Sequence, residues 1–573
     1  MNERQVQWLE RFALFAAVVS RVWGGWAISK TGHGRHTLVD AATYWSQARQ
    51  LSLGKDPFSD GFYQPPGYPV LLSWLQSLFG ENLWAPRCLQ MGLGVLTVWA
   101  LIRLGRRLGG THVPYAGGLA GMLYALYAPP LMFELDLLTP AVTAAVTVTM
   151  LWLMRGGGKP LGIAVAAALA GLASAVHPTF LVLGVVLVVF PMFGAERKRA
   201  AFLPGLLGLA IGLMPMTQAN IDRFEQVRFT SNNAGINFYL GNSTDWKRTS
   251  FIRPGLTFRK LALEAEPHRR DGFERNAYWR SRALSDIAAD PLGWLLAIGT
   301  KAVWSVNNTE IPRNEDHRCR TLSGPLGWMG WLPVRYGLVF PLAFLGAVVL
   351  WRRQTTDRFV VAAWVALHAP VILFIVADRY RVATWPMMCL LAPLGLSQVR
   401  MWAGSSSLKS RWPWLGVLVL PFLPIDSKTE MDPAWCAHVQ ANLSFMDDEP
   451  EAAEAQYLVA VALDPDDWSA RRWLASAMMK RRAFGGAVEQ VDAILLGFPD
   501  SFPILKLRAS LAERMGEPAN AAEFMLRAYR VPGERTRTGM HVLRLWEASG
   551  QNGRIQTLIA ADEKLARKWA RRK

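Results

Sequence analysis

Eleven apolar runs, near residues 10–28, 84–103, 115–133, 139–154, 160–176, 178–195, 200–217, 333–351, 358–376, 383–398 and 411–425, approach the length an α-helix needs to cross about 30 Å of hydrocarbon. They predict an all-α fold, a polytopic transmembrane core of about eleven spans over residues 1–425. Several runs are short and interrupted by proline or glycine. At His177-Pro178 one long apolar stretch must become two spans joined by a tight turn, because proline breaks a helix.

Charge divides the chain into two materials. Residues 431–573 hold 20 basic and 19 acidic side chains, against 42 and 25 in the first 430. For the whole chain 51% of residues are hydrophobic and 18% charged, below the roughly 25% charge of an ordinary soluble domain. A typical cytosolic enzyme is thereby excluded. The net charge of +18 and 25 tryptophans fit a membrane protein, with Lys and Arg on cytoplasmic loops and Trp at the interfaces, and no nucleic-acid partner is expected. Cys88, Cys319, Cys389 and Cys436 have no metal-knuckle spacing; a Cys319–Cys436 pairing is left open.

The N-terminal apolar run lacks a small-residue cleavage site and is read as an uncleaved first span. With the N-terminus inside, the cytoplasmic side receives Arg4, Arg11, Arg103, Arg106, Arg107, Arg155, Lys159, Arg197, Lys198, Arg199, Arg352, Arg353, Arg358, Arg400, Lys409 and Arg411. That bias satisfies the positive-inside rule. The expected protein is thus a multi-pass component of the inner (cytoplasmic) membrane. A first outer loop (29–83), a large outer loop (218–332) and the tail after about 425 lie outside. The apolar stretch 291–306 is expected along the outer interface, since a twelfth span would move Arg352 and Arg353 outside.

The tail, residues 426–573, repeats every 34 residues from Ala434, Trp468 and Phe502, with a degenerate unit from Thr536. Alanines recur at Ala441, Ala475 and Ala509 and at Ala453, Ala487 and Ala521; prolines recur at Pro465 and Pro499, with Pro532 one residue early. This period and its small residues match the tetratricopeptide repeat, an α-solenoid of helix pairs. A protein or peptide partner is expected in its groove.

Between residues 82 and 219 the only acids are Glu134, Asp136 and Glu196. Glu196 sits in a basic cytoplasmic loop, whereas Glu134 and Asp136 fall at the outer end of a span. Carboxylates beside hydrocarbon are costly enough to be functional candidates. Asp40 follows the first span, where it can cap a short helix with Tyr44, Ala48 and Leu51 on one face; QPPGYP then turns the chain into a second apolar helix too short to span.

The order of first span, outer Asp40 near Tyr44, PPGYP and RLGRRLGG resembles the GT-C superfamily of integral membrane glycosyltransferases, glycosyltransferase family 39, of the protein-mannosyltransferase and aminoarabinose-transferase type. ELDLLTP, GLASAVHPTF, SNNAGINFYLGN, KAVWSVNNTEIPRN and DRYRVATWP follow in the family's order, and the likeness covers about residues 10–400. The resemblance implies transfer, with inversion, of a sugar from a polyprenyl-phosphate donor to a glycan, lipid or protein acceptor outside the membrane. Asp40 is then the catalytic carboxylate. The sequence departs from the pattern at Asp40-Ala41, where protein mannosyltransferases have Asp-Glu, and at His177, where an arginine is usual.

Beside the resemblance stands chemistry. A departing polyprenyl phosphate is stabilised by fixed cations, and Arg379 and Arg381, flanking Tyr380, offer forks matched to phosphate oxygens. The attacking hydroxyl needs a base, for which Asp40 is the candidate. Glu310 and Lys301 are expected to line the same cavity, and Asn237 and Tyr239 suit a sugar-binding loop. The resemblance allows a divalent ion between Asp40 and Asp136, and no other cofactor is signalled. A lipid or sugar transporter, or a scaffold presenting the tail, remains the alternative.

Overall fold

Helices occupy the apolar runs, and prolines stand in the first turn of many of them, including Pro140–Met154, Pro160–Ala173 and Pro291–Val306. The computed structural model describes all residues except 1, 59–60, 156–158, 194–199, 266–271, 322–323, 354–355, 404–411, 427–429, 532–534 and 572–573. Glu196, Arg197, Lys198, Arg199, Lys409, Arg411 and Pro532 therefore lie outside the described residues. Among the described residues every regular element is helical, apart from an isolated bridge between Tyr127 and Val334. The chain forms two compact units, one of residues 1–254 and 258–431, the other of residues 255–257 and 432–573.

In the first unit three helices are long and apolar enough to cross a membrane: Glu3–Ser29, Trp84–Gly109 and Phe202–Phe224. A fourth arises if Ala128–Leu135 and Pro140–Met154, which meet at 117°, count as one broken span. The other runs give shorter apolar helices, such as Ala116–Ala125, Tyr336–Arg352 and Phe359–Leu373. These helices run to 10–17 residues, and in two of them a proline, Pro341 or Pro370, stands inside the helix. As the sequence predicts, the stretch around His177-Pro178 is two helices, Pro160–Ala173 and Thr179–Val189.

Small residues let the helices approach closely. A Cβ on Gly208 or Gly212 would meet the carbonyl oxygens of Ala164 or Ala168 at 2.1 and 2.0 Å, so the Phe202 helix rests directly on the Pro160 helix. A Cβ on Gly346 or Gly395 would likewise collide with backbone at 1.9 Å, which locks Tyr336–Arg352 to Trp385–Ala403.

The second unit is a succession of helices, Pro433–Met446, Pro450–Leu463, Trp468–Lys480, Phe484–Gly497, Phe502–Arg514 and Pro518–Arg530, followed by three more. The recurring alanines 441, 453, 475, 487, 509 and 521 are all fully buried. Left-handed residues stand at Asp448, Arg482, Gly516 and Gly550, one period apart, so the repeat's turn continues into the degenerate fourth unit.

Candidate active site

A cavity of about 370 Å³ lies within the first unit. Two turns that meet help to build it. Gly67, in the QPPGYP turn, donates its N–H to the Ala175 carbonyl at 2.7 Å, and a Cβ there would fall 2.7 Å from that oxygen. The glycine thus seats the first outer segment against the turn that carries His177. Behind it, Tyr44 packs edge-on to Tyr68 at 5.3 Å, and the Tyr68 hydroxyl donates to Gln90 at 2.6 Å.

Asp40 lines the cavity in the helix Val39–Ser52. The helix-cap expectation is corrected here. Leu38 occupies the cap position and makes no side-chain cap bond, while the Asp40 carboxylate is engaged by other chain segments. Its Oδ2 accepts from Arg379 Nη1 at 2.8 Å and from Asn314 Nδ2 at 2.7 Å, and its Oδ1 accepts from Gln64 Nε2 at 3.1 Å. Burial alone would raise its pKa, yet Arg379 and Asn314 hold it below the usual carboxylate value. The preceding Val39 has φ +50°, a left-handed conformation that a β-branched side chain rarely adopts.

Arg379 and Arg381, two residues apart on the short helix Asp378–Arg381, have different surroundings. Arg379 lines the cavity, pairs with Asp40, and donates from Nη2 to the Tyr380 hydroxyl at 2.7 Å. Arg381 is buried outside it. Its Nη1 donates to the Asn307 carbonyl at 2.7 Å, its Nη2 to the Thr309 carbonyl at 2.9 Å and to Glu310, and the guanidinium lies over the Tyr336 ring. Asp378 accepts the Arg379 N–H at 2.6 Å, and burial, with Glu310 nearby, pushes its carboxyl up to about 8.

Tyr44, His177, Asn237 and Tyr380 also line the cavity. His177 pairs through Nδ1 with Thr179 at 2.8 Å, and burial followed by the Arg379 charge lowers its pKa to about 4. It is therefore neutral near pH 7 and meets a ligand as a neutral hydrogen-bond partner, not as a cation.

Besides Arg381, five expected residues lie outside this cavity's lining. Tyr239 packs on Trp279 at 4.7 Å, because the Ala234–Asn242 helix turns Asn237 toward the cavity and Tyr239 into a hydrophobic cluster. Glu310 is held by Arg381 and the Tyr127 hydroxyl. Lys301 donates to the carbonyls of Gly241 and Phe374 and to Asn242 Oδ1, at 3.0, 3.4 and 3.2 Å; it ties together two helix ends, where a cation is favoured, and burial lowers its pKa to about 8. Glu134 forms a two-pronged pair with Arg21 of the first helix, at 2.8 and 2.7 Å. Asp136 accepts from Arg320 Nη1 at 2.8 Å, and Arg320 also binds Glu315.

Asp136 instead borders a pocket of about 20 Å³, room for about one water. Asp40 and Asp136 are each paired to a guanidinium of their own, Arg379 and Arg320. Among the described residues no group of three or more His, Cys, Asp or Glu is arranged to hold a metal.

Sequence reasoning did not single out Tyr63, Gln64, Arg313 and Asn314, which all line the cavity. Their signal lay in the motifs already quoted: Gln64 opens QPPGYP, and Arg313-Asn314 closes NNTEIPRN. Around this polar cluster the cavity is walled by Leu138, Val182, Leu367, Val371, Phe374 and Ile375. No protein-family model matches the chain, and no curated protein matches it.

Proposed function

We propose that this chain is an integral membrane glycosyltransferase of the GT-C type, moving a sugar from a polyprenyl-phosphate donor to an acceptor at the outer face. The observation that carries the reading is the Asp40–Arg379 pair set, with other polar residues, in a cavity that also has an apolar wall of Leu138, Val182, Leu367, Val371, Phe374 and Ile375. A lipid-linked phosphate needs both halves, a cation for the phosphate and hydrocarbon walls for the chain. In the transfer, the acceptor oxygen bonds to the sugar's anomeric carbon as the bond to phosphate oxygen breaks, with inversion. The acceptor proton passes to Asp40, and the phosphate departs as an anion stabilised by Arg379. A phosphate that draws Arg379 toward itself also relieves the depression of the Asp40 pKa, so donor binding strengthens the base.

About eleven spans, with the N-terminus inside and the tail outside, complete the reading. Its support is the charge bias of the short loops. A C-terminal alkaline phosphatase fusion, active only outside the cytoplasm, is expected to be active; activity confined to a cytoplasmic reporter overturns the orientation. The tail, with its 34-residue period, is read as tetratricopeptide repeats that bind a protein or peptide.

The direct test is transfer of labelled sugar from a synthetic polyprenyl-phosphate-linked sugar in proteoliposomes. Vectorial uptake of the donor without transfer would instead identify a transporter. Within this reading Arg379→Lys is expected to lower turnover about a hundredfold with folding intact, because lysine keeps the charge and loses the fork. Arg381→Lys is expected to lower thermal stability instead, since its guanidinium serves two carbonyls and a carboxylate. Unchanged turnover in both variants sinks the phosphate assignment.

A further inference from the structure

The buried arginines of the first unit differ in how completely they are used. Arg87 donates from all three of its nitrogens, to the carbonyls of Leu135, Gly34 and His33 at 2.9, 2.7 and 2.6 Å. Arg381 serves two carbonyls and a carboxylate and lies over a ring. Arg313 is unlike both. Only its Nη1 donates, to the carbonyls of Ser250 and Ile252; Nε and Nη2 have no partner among the described residues, and no carboxylate pairs with the group. The Asp40 oxygens are taken by Arg379, Asn314 and Gln64. Arg313 is half-buried and lines the same cavity as Asp40 and Arg379.

A half-buried guanidinium on a cavity wall with no carboxylate paired to it attracts an anion. Its two idle nitrogens are adjacent on one edge of the fork, the arrangement that donates to two oxygens of one phosphate. The charges also select among anions. Asp40 and Arg379 cancel, so Arg313 leaves a single positive charge, which a phosphodiester balances.

We propose that Arg313 binds the phosphate of the lipid-linked donor through Nε and Nη2, and that Arg379 is the second cation of that site. The assignment rests on the reading of the cavity as a donor site, and a binding measurement separates the two. With the full-length protein in nanodiscs, a polyprenyl monophosphate is the probe and the corresponding polyprenol is its control. Arg313→Gln is expected to weaken phosphate binding between about tenfold and a hundredfold, the range of a lost charged hydrogen bond, and to leave polyprenol binding unchanged. Unchanged phosphate affinity, or equal loss for both lipids, overturns the proposal.

Should Arg313→Gln fail to fold, the wild-type protein supplies the answer. Modification of Arg313 by phenylglyoxal, read by peptide mass spectrometry, is expected to fall when polyprenyl phosphate is bound and to be unaffected by polyprenol. Modification indifferent to the phosphate lipid overturns the proposal, as does equal protection by inorganic phosphate at the same concentration, which would make the site one for free phosphate. Arg313-dependent binding without sugar transfer would sink the transferase reading alone. Transfer with Arg313-independent binding would sink this proposal alone.

Discussion

Asp40→Asn is expected to reduce sugar transfer by about a hundredfold to ten-thousandfold, the usual cost of losing a general base, while leaving the protein folded. The amide preserves the shape, and its one oxygen can still accept from Asn314 or from Gln64, which bind different oxygens of Asp40, but it has no basicity. Because Arg379 is then released from a carboxylate, donor-lipid binding is expected to be equal or tighter. Slower turnover with undiminished binding is a combination that general unfolding does not produce. Steady-state transfer and polyprenyl-phosphate titration on the same preparation measure both, and wild-type turnover would remove Asp40 from the mechanism.

Glu134→Gln is expected to act on stability instead of chemistry. Glu134 and Arg21 are 0% and 2% exposed and bind each other through two parallel contacts. Removing one member of a buried pair strands the other charge, at about 3–5 kcal/mol. Thermal unfolding of the detergent-solubilised protein should shift down by several degrees, with turnover per folded molecule unchanged. Replacing both partners, as Arg21→Met with Glu134→Leu, is expected to restore much of the loss. A Glu134→Gln protein that unfolds normally but does not turn over would return Glu134 to the catalytic group.

These two carboxylates show where sequence reading ran out. Both stood out as acids beside apolar runs, yet one meets a guanidinium at the cavity and the other a guanidinium within the first helix. Nothing in the sequence ties residue 21 to residue 134. The helical character was legible, because periodic and continuous apolar runs are local signals. The break at His177-Pro178 was legible for the same reason. The 117° bend between Ala128–Leu135 and Pro140–Met154 was not, since a proline announces an interruption but not its angle. Within the site, Asp40, Tyr44, His177, Asn237, Arg379 and Tyr380 share the cavity, whereas Arg381 and Glu310 satisfy each other outside it. Spacing names the residue types at a helix end; only packing decides which of two neighbours faces the ligand.

Val39 gives the site a dependence on the whole of its surroundings. A valine held at φ +50° stores about 1–3 kcal/mol of backbone strain, and it can be kept there only while the packing around it is complete. If it relaxed to an ordinary conformation, the first turn of its helix would rotate and carry the Asp40 carboxylate away from Arg379. A partly inserted or loosely packed chain would then possess every residue of the site and still be inert. The strained valine works as a safety catch: the carboxylate is held against Arg379 only in a molecule that has finished folding.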